Sequence, residues 1–211
     1  MNLSVLRREY CRMSLSKQDV NPDPFLQFHL WLNQALEAEI EDASAMALST
    51  VSPSGFPSGR MVLLKELDEK GFVFFTSYTS RKGQEIMGND QVSLLFYWKE
   101  LERQVRICGI AQRMSREESA AYFYSRPIES QISALISPQS DAIEDRIWLS
   151  KRWDEAKHNY VNETPPMPEN WGGYRVAPTE FEFFQGREHR LHDRIHYGQM
   201  HGGWLIERLA P

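Results

Sequence analysis

Cysteine is nearly absent: Cys11 and Cys108 are the only two in 211 residues. Two cysteines build no disulfide framework, and there is no C-x-x-C pair. A reduced, cytoplasmic setting is the expectation. Long apolar runs are also missing. The longest, Val92 to Trp98, is interrupted by Ser93 and falls far short of the roughly 20 residues a membrane span needs. The opening MNLSVLRREYCRM has no apolar h-region, which predicts no secretory signal. Nor is there a basic excess. Lys plus Arg number 24 against 29 Asp plus Glu, a net charge of -5, which argues against a nucleic-acid binder. A small anionic ligand stays compatible, since it needs only a local cationic cluster. No Gly-x-Gly-x-x-Gly, Walker A or Gly-x-Ser-x-Gly motif is present, so dinucleotide, nucleoside-triphosphate and serine-hydrolase folds lack support.

What is present is ordinary globular composition, 41% hydrophobic and 25% charged, in a chain long enough for a proper core. Residues 1–22 are polar and end in Asn21-Pro22-Asp23-Pro24. They read as an arm that is mobile unless something docks on it, followed by a single domain over 23–211. Asp23 can cap a helix with Pro24 at its first position. Phe25, Phe28, Leu32, Ala35 and Leu36 then recur at helical spacing, to an end near Glu39.

The period then changes. Strand-like runs cover Ala45–Val51, Arg60–Lys65, Phe72–Thr76, Val92–Trp98 and Gln104–Met114, with turn signals at 52–55 and 68–71. Five such runs predict an antiparallel meander able to close into a barrel. Helices are expected after Ser80, after Ser115 (with Glu118, a capping box) and around 144–160. Strands return at Gly173–Val176, Glu180–Gln185, Leu191–Tyr197 and Trp204–Arg208. The class is α+β, mainly β, with the last strands rejoining the first sheet.

Four clusters carry potential chemistry. In a strand, Arg190, His192 and Arg194 share a face. Either an anionic or electron-rich ligand lies between them, or carboxylates such as Glu182 and Glu188 pair with them on a solvated face. Arg81 and Lys82 open a helix where cations oppose the dipole, by roughly 0.3–1 kcal/mol each. A phosphate there would reverse that sign; two solvated side chains are the plain alternative. Arg60 and Lys65 bracket an apolar strand but face opposite sides, so one ligand meets both only through a bulge or a dimer interface. Tyr122, Arg126 and Ser130 would suit a phosphate monoester, or would simply pack a helix end. His189, His192 and His196 would share a face only on a helix, and the β-type pattern there predicts no metal site.

Taken together, the runs LRREY, RMVLLK, FFTSYTSRKGQEI, VSLLFYW, ERQVRICG, YFYSRPIESQI, SPQS, ENWGGYRV, EFFQGREHRLHDRI and WLIERLAP resemble the pyridoxine (pyridoxamine) 5′-phosphate oxidases, from Leu6 to Pro211. The resemblance implies an FMN-binding split β-barrel with peripheral helices, working as a homodimer with flavin at the interface. It implies oxidation of pyridoxine or pyridoxamine 5′-phosphate by dioxygen, with no nucleic-acid or membrane partner. By resemblance, Arg60, Met61, Val62, Leu63, Leu64, Lys65, Phe75, Thr76, Arg81, Lys82, Gln104, Gln139, Ser140, Phe184 and Arg194 would hold FMN. Lys65, Tyr122, Arg126 and Ser130 would hold the substrate phosphate, with the arm residues Arg7, Arg8, Glu9 and Tyr10 closing the site. Arg190 and His192 would be catalytic and would cover the substrate ring. The chain departs from the family pattern at Phe184, usually Trp, and at Ser133, Pro138 and Asp141. A non-catalytic flavin binder and a haem-handling split barrel are the rival readings.

Overall fold

The computed structural model of the chain describes residues 13–161 and 163–211. The expected arm residues Arg7, Arg8, Glu9 and Tyr10 lie outside them. Helix α1 spans Pro24–Glu37, and Asp23 caps it by accepting from the Phe25 amide at 2.8 Å. The strands that follow are β1 (Ala45–Val51), β2 (Pro57–Leu63), β3 (Glu66–Asp68) and β4 (Gly71–Ser77). Helix α2 covers Arg81–Gly88, then come β5 (Gln91–Trp98) and β6 (Arg103–Arg113). Three helices, α3 (Arg116–Ser125), α4 (Ile128–Ile136) and α5 (Arg146–Asn159), precede β7 (Trp171–Gln185), β8 (Asp193–Met200) and β9 (Gly203–Leu209).

The strands form one antiparallel sheet in the order β2-β1-β5-β6-β7-β4-β3, with β8 and β9 added beside β7. This is not the sequential meander that the spacing predicts, because β1 pairs with both β2 and β5. The two ends of the path, β2 and β3, are joined by Leu64 and Lys65 alone. Those two residues are therefore a corner, not the end of a strand as expected. The Leu64 amide donates to Ser44 O on the β1 side (2.9 Å), and the Lys65 amide donates to Val73 O on the β4 side (2.9 Å). A two-residue link between opposite ends requires the sheet to curl into a barrel.

The barrel closes around aromatic rings. Phe28 of α1 packs edge-on against Phe72 (4.9 Å between centroids) and Phe96 (4.8 Å), and Trp31 against Phe183 (5.3 Å). All five are buried, and burying each such side chain is worth roughly 1.5–3 kcal/mol. The arm's last part docks. Leu15 and Val20 are buried in this core, the Leu15 amide donates to Asp193 Oδ2 at 3.0 Å, and Tyr197 Oη donates to Asn21 O at 2.8 Å.

Other differences from expectation have local causes. Gly173–Val176 and Glu180–Gln185 are one strand, because a bulge opposite Cys108/Gly109, where Thr179 of β7 has no partner in β6, absorbs the irregularity near Pro178. Helix α4 was not expected. Pro127 marks a break after α3 but also serves as the N-cap of a new helix, whose Ile132 and Ile136 pack on Ala156 of α5. Arg190 lies outside β8, in a short turn where His189 (φ 57°) and Arg190 (φ 62°) are both left-handed. The expected shared face of Arg190, His192 and Arg194 therefore does not form. Among the described residues, no helix is long and apolar enough to cross a membrane.

Helix α2 sits hard against the end of β4. A Cβ on Gly83 would lie 2.4 Å from the Tyr78 carbonyl oxygen. Gly83→Ala should lower the melting temperature although Ala favours helix by about 1 kcal/mol, since overpacking costs about 1–3 kcal/mol. An unchanged or raised midpoint in thermal unfolding would contradict this packing.

Candidate active site

A cavity of about 510 Å³ opens between the β2 edge, the end of β4, and helices α2 to α5. Ten of the expected residues line it. Met61, Val62 and Leu63 come from β2, whose far edge has no neighbouring strand among the described residues. Alternate backbone N–H and C=O groups there are left for a ligand. Lys65 follows from the barrel corner, Phe75 and Thr76 from β4, Lys82 from α2, Tyr122 and Arg126 from α3 and its cap, and Gln139 from the loop after α4. Three cations thus meet one cavity with no carboxylate in its lining.

The groups in it are ordered by contacts with each other. Gln139 Oε1 accepts from Thr76 Oγ1 (2.8 Å) and from the Ser77 amide (3.1 Å), fixing the loop to the end of β4. Lys82 Nζ donates to Thr76 Oγ1 at 3.4 Å. Burial, and next the charge of Arg60, push the Lys82 ammonium below its ordinary pKa. Phe75, Tyr122 and Trp171 stack, with 3.9 Å between the first two centroids. The Arg126 guanidinium lies 5.0 Å over Trp171. Its Nη2 donates to Ser130 O at 2.9 Å, but its Nη1 is buried and has no hydrogen-bond partner among the described residues. Leaving such a donor unmet costs about 1–3 kcal/mol. The donor set fits a phosphate-bearing ligand.

Arg60 and Arg81 do not line the cavity. Both are held by Glu85, a buried carboxylate on α2. Its Oε2 accepts from Thr50 Oγ1 (2.5 Å), Ser58 Oγ (2.5 Å) and Arg60 Nη2 (3.1 Å), and its Oε1 from Arg81 Nε (2.9 Å). Burial alone would raise the Glu85 pKa, but these donors outweigh it and hold it at about 2. Leu64 is buried in the core, and the Ser130 hydroxyl and Ser140 also stand outside the lining. Ser140 follows Gln139 with a left-handed φ of 77°.

The remaining expected residues form a second patch, on the outer face of β6, β7 and β8. Sheet register sets Tyr97, Gln104, Phe184 and Arg194 in one row. Phe184 packs on the His192 ring at 4.8 Å, so an aromatic contact persists without the indole. Arg194 Nε donates to Glu182 Oε1 at 2.7 Å, so the carboxylate alternative for that residue is realised. His192 Nδ1 accepts from the Arg187 amide at 3.1 Å, which leaves the proton on Nε2. Burial and then the Arg190 charge lower its pKa against the pull of Asp193, so the ring is neutral near pH 7. Among the described residues, no group of three His, Cys, Asp or Glu gathers as a metal site.

Sequence reasoning missed Trp171, Ser77, Ser137, Leu149 and Trp153, which also line the cavity. Trp171 falls inside the quoted ENWGGYRV run, but nothing in its spacing assigns it to a cavity. Leu149 and Trp153 are four apart on α5, the only signal of a shared face.

The chain is similar to known proteins along nearly its whole length. A family model described as pyridoxamine 5′-phosphate oxidase matches residues 32–160, and one described as the pyridoxine 5′-phosphate oxidase C-terminal dimerisation region matches 171–211. Proteins named pyridoxine/pyridoxamine 5′-phosphate oxidase are 51% identical in Nostoc sp. (99% of this chain, 98% of the relative) and in Burkholderia mallei (99% of both). The crystal structure of PhzG from Burkholderia lata, in complex with tetrahydrophenazine-1-carboxylic acid, superposes with a TM-score of 0.90. It is 29% identical over 97% of this chain and all of that one. An FMN-binding, pyridoxamine 5′-phosphate oxidase-related protein from Nostoc punctiforme shares the fold with a TM-score of 0.70, at 17% identity over 87% of this chain and 97% of its own.

Glu85 titrates about 2 in the fold against 4.5 ordinarily. A lowered folded-state pKa contributes stability that is complete above the ordinary value and is lost as pH falls through the lowered one. Urea midpoints should therefore drop as pH falls from about 4.5 toward about 2, and Glu85→Gln should flatten part of that slope. An identical acid limb in the variant would contradict the assignment.

Proposed function

The chain belongs to the pyridoxamine 5′-phosphate oxidase family, and from that membership we propose that it oxidises pyridoxine or pyridoxamine 5′-phosphate to pyridoxal 5′-phosphate. FMN is the cofactor, dioxygen the oxidant and hydrogen peroxide the co-product. One observation carries this reading. Lys65, Lys82 and Arg126 converge on a cavity without a carboxylate, beside a stack of three aromatic rings, with a buried Arg126 N–H unmet.

A bound flavin supplies acceptance of hydride from the substrate C4′ carbon and its return to dioxygen. The protein supplies binding, orientation and charge. Lys82, Thr76, Gln139 and the β2 backbone at Met61–Leu63 would hold the flavin at one side of the cavity. Lys65, Tyr122 and Arg126 would take the substrate phosphate. Binding that remote dianion provides energy for orienting C4′. Tyr122 supports this as a neutral donor, since burial raises its pKa against the pull of Arg126.

The outer patch needs a second copy. Gln104, Phe184, Arg190, His192 and Arg194 lie outside the cavity of their own chain, and four of them fall in the segment matched to a dimerisation region. Exposed Met61, Leu63 and Tyr97 give the same sheet face apolar area to cover. In a two-fold dimer, each patch would complete the partner's cavity. Arg190 would be held ready over the substrate by a turn with two successive left-handed residues, a strained arrangement of the kind found at functional sites. The neutral His192, with its proton on Nε2, would assist proton movement.

PhzG, as its structure describes, holds a ring carboxylic acid, and the same three cations would receive one. The competing reading is therefore a carboxylated ring substrate. An anaerobic absorbance spectrum of the FMN-loaded protein separates the two. Pyridoxine 5′-phosphate should bleach the flavin, and air should restore it. Bleaching only by a reduced phenazine carboxylate would overturn the proposal. Arg190→Ala should keep flavin and lose most turnover, by roughly 100-fold or more if it orients the reacting carbon. Turnover within a few-fold of the parent would remove Arg190 from that role.

A further inference from the structure

We propose that Glu85 is a positioning residue for the flavin phosphate: this one buried carboxylate holds both Arg60 and Arg81, and aims Arg81. The inference rests on the reading that a flavin phosphate is received at the start of α2.

Glu85 is not an ordinary surface partner. Helical i,i+4 pairs in solvent are worth only about 0.2–0.5 kcal/mol. Here the carboxylate is 5% exposed and takes four donors, while the Arg81 side chain is 65% exposed. The two arginines depend on it differently. Arg60 is 19% exposed and has other anchors: Nη1 donates to Leu48 O (3.3 Å) and to Thr50 Oγ1, and Nη2 to Ser58 Oγ (2.7 Å). Arg60 therefore keeps its place without Glu85. Arg81 has Glu85 as its sole hydrogen-bond partner among the described residues, through Nε, which leaves the outer guanidinium edge for a ligand.

The position adds weight. Arg81 and Lys82 stand in the first turn of α2, where free backbone N–H groups already carry positive potential. Lys82 lines the cavity, and its charged form is already disfavoured by burial and by Arg60. Glu85 offsets part of this charge before the phosphate arrives, through its contact with Arg81. Glu85 is not part of the cavity lining, so no carboxylate meets the anion there.

The test measures dissociation constants of FMN and of riboflavin, the same ring system without the phosphate, from quenching of flavin fluorescence. The proteins are the parent, Glu85→Gln, Arg81→Ala and the double variant. Glu85→Gln should weaken FMN about tenfold or more, as loss of an aimed charge-assisted contact implies, and leave riboflavin within about twofold. In the Arg81→Ala background the same change should add less than about threefold, because the two act as one unit. Equal losses for FMN and riboflavin would show a merely structural role and overturn the proposal. So would unchanged or tighter FMN binding, or losses that multiply in the double variant. If Glu85→Gln does not fold, Glu85→Asp keeps the buried charge but shortens its reach to Arg81, and the same phosphate-selective pattern is required. A parent that takes up no FMN would overturn the underlying reading and this proposal together. Parent uptake unaffected by Arg81→Ala would overturn this proposal alone.

Discussion

One strand carries the architecture. Trp171–Gln185 pairs with β6 along nearly its whole length, with β4 at its beginning and with β8 at its end. Barrel and terminal hairpin are therefore rigidly related, since a shared strand cannot slip by one residue without turning every side chain to the other face. Both halves of the candidate site hang from it. Trp171 at its start joins the stack beside the cavity, and Phe184 near its end supports His192 on the outer patch.

Charge placement follows from that frame. The cavity gathers cations that have little to neutralise them locally, while carboxylates sit one layer away. Glu85 underlies α2, and Glu182 bridges Arg106 and Arg194, each at 2.7 Å, on the outer sheet face. The buried acids fix guanidiniums by hydrogen bonds and leave the cavity positive. Orientation costs less when it is built before the ligand arrives, which is the advantage of preorganised charge. The strained residues fit the same pattern, with Ser140 beside Gln139 in one half and His189-Arg190 beside His192 in the other.

Much of the fold was legible because short-range physics decides it. The Asp23-Pro24 cap, the Ser115/Glu118 capping box and the alternating strands all appear where their residues predict. Helix α4 was hidden because Pro127 signals a break, and only packing on α5 shows that it also starts a helix. The turn that takes Arg190 off the shared face is hidden, because nothing local marks a left-handed conformation when glycine is absent.

The sequence by itself determined most of the secondary elements, the cation-rich composition of the site and, through ordered motifs along the chain, the family. Tertiary structure decided which of those cations act together. Lys65, Lys82 and Arg126 are far apart in sequence and meet only because a two-residue corner brings opposite ends of the sheet together. Arg60 and Arg81, equally basic on paper, are held just outside the cavity lining by a carboxylate whose partners come from β1, β2 and α2. The physical reason is range. Caps and periodicity act within a few residues, whereas electrostatic pairing in a buried site depends on neighbours that only the closed barrel supplies.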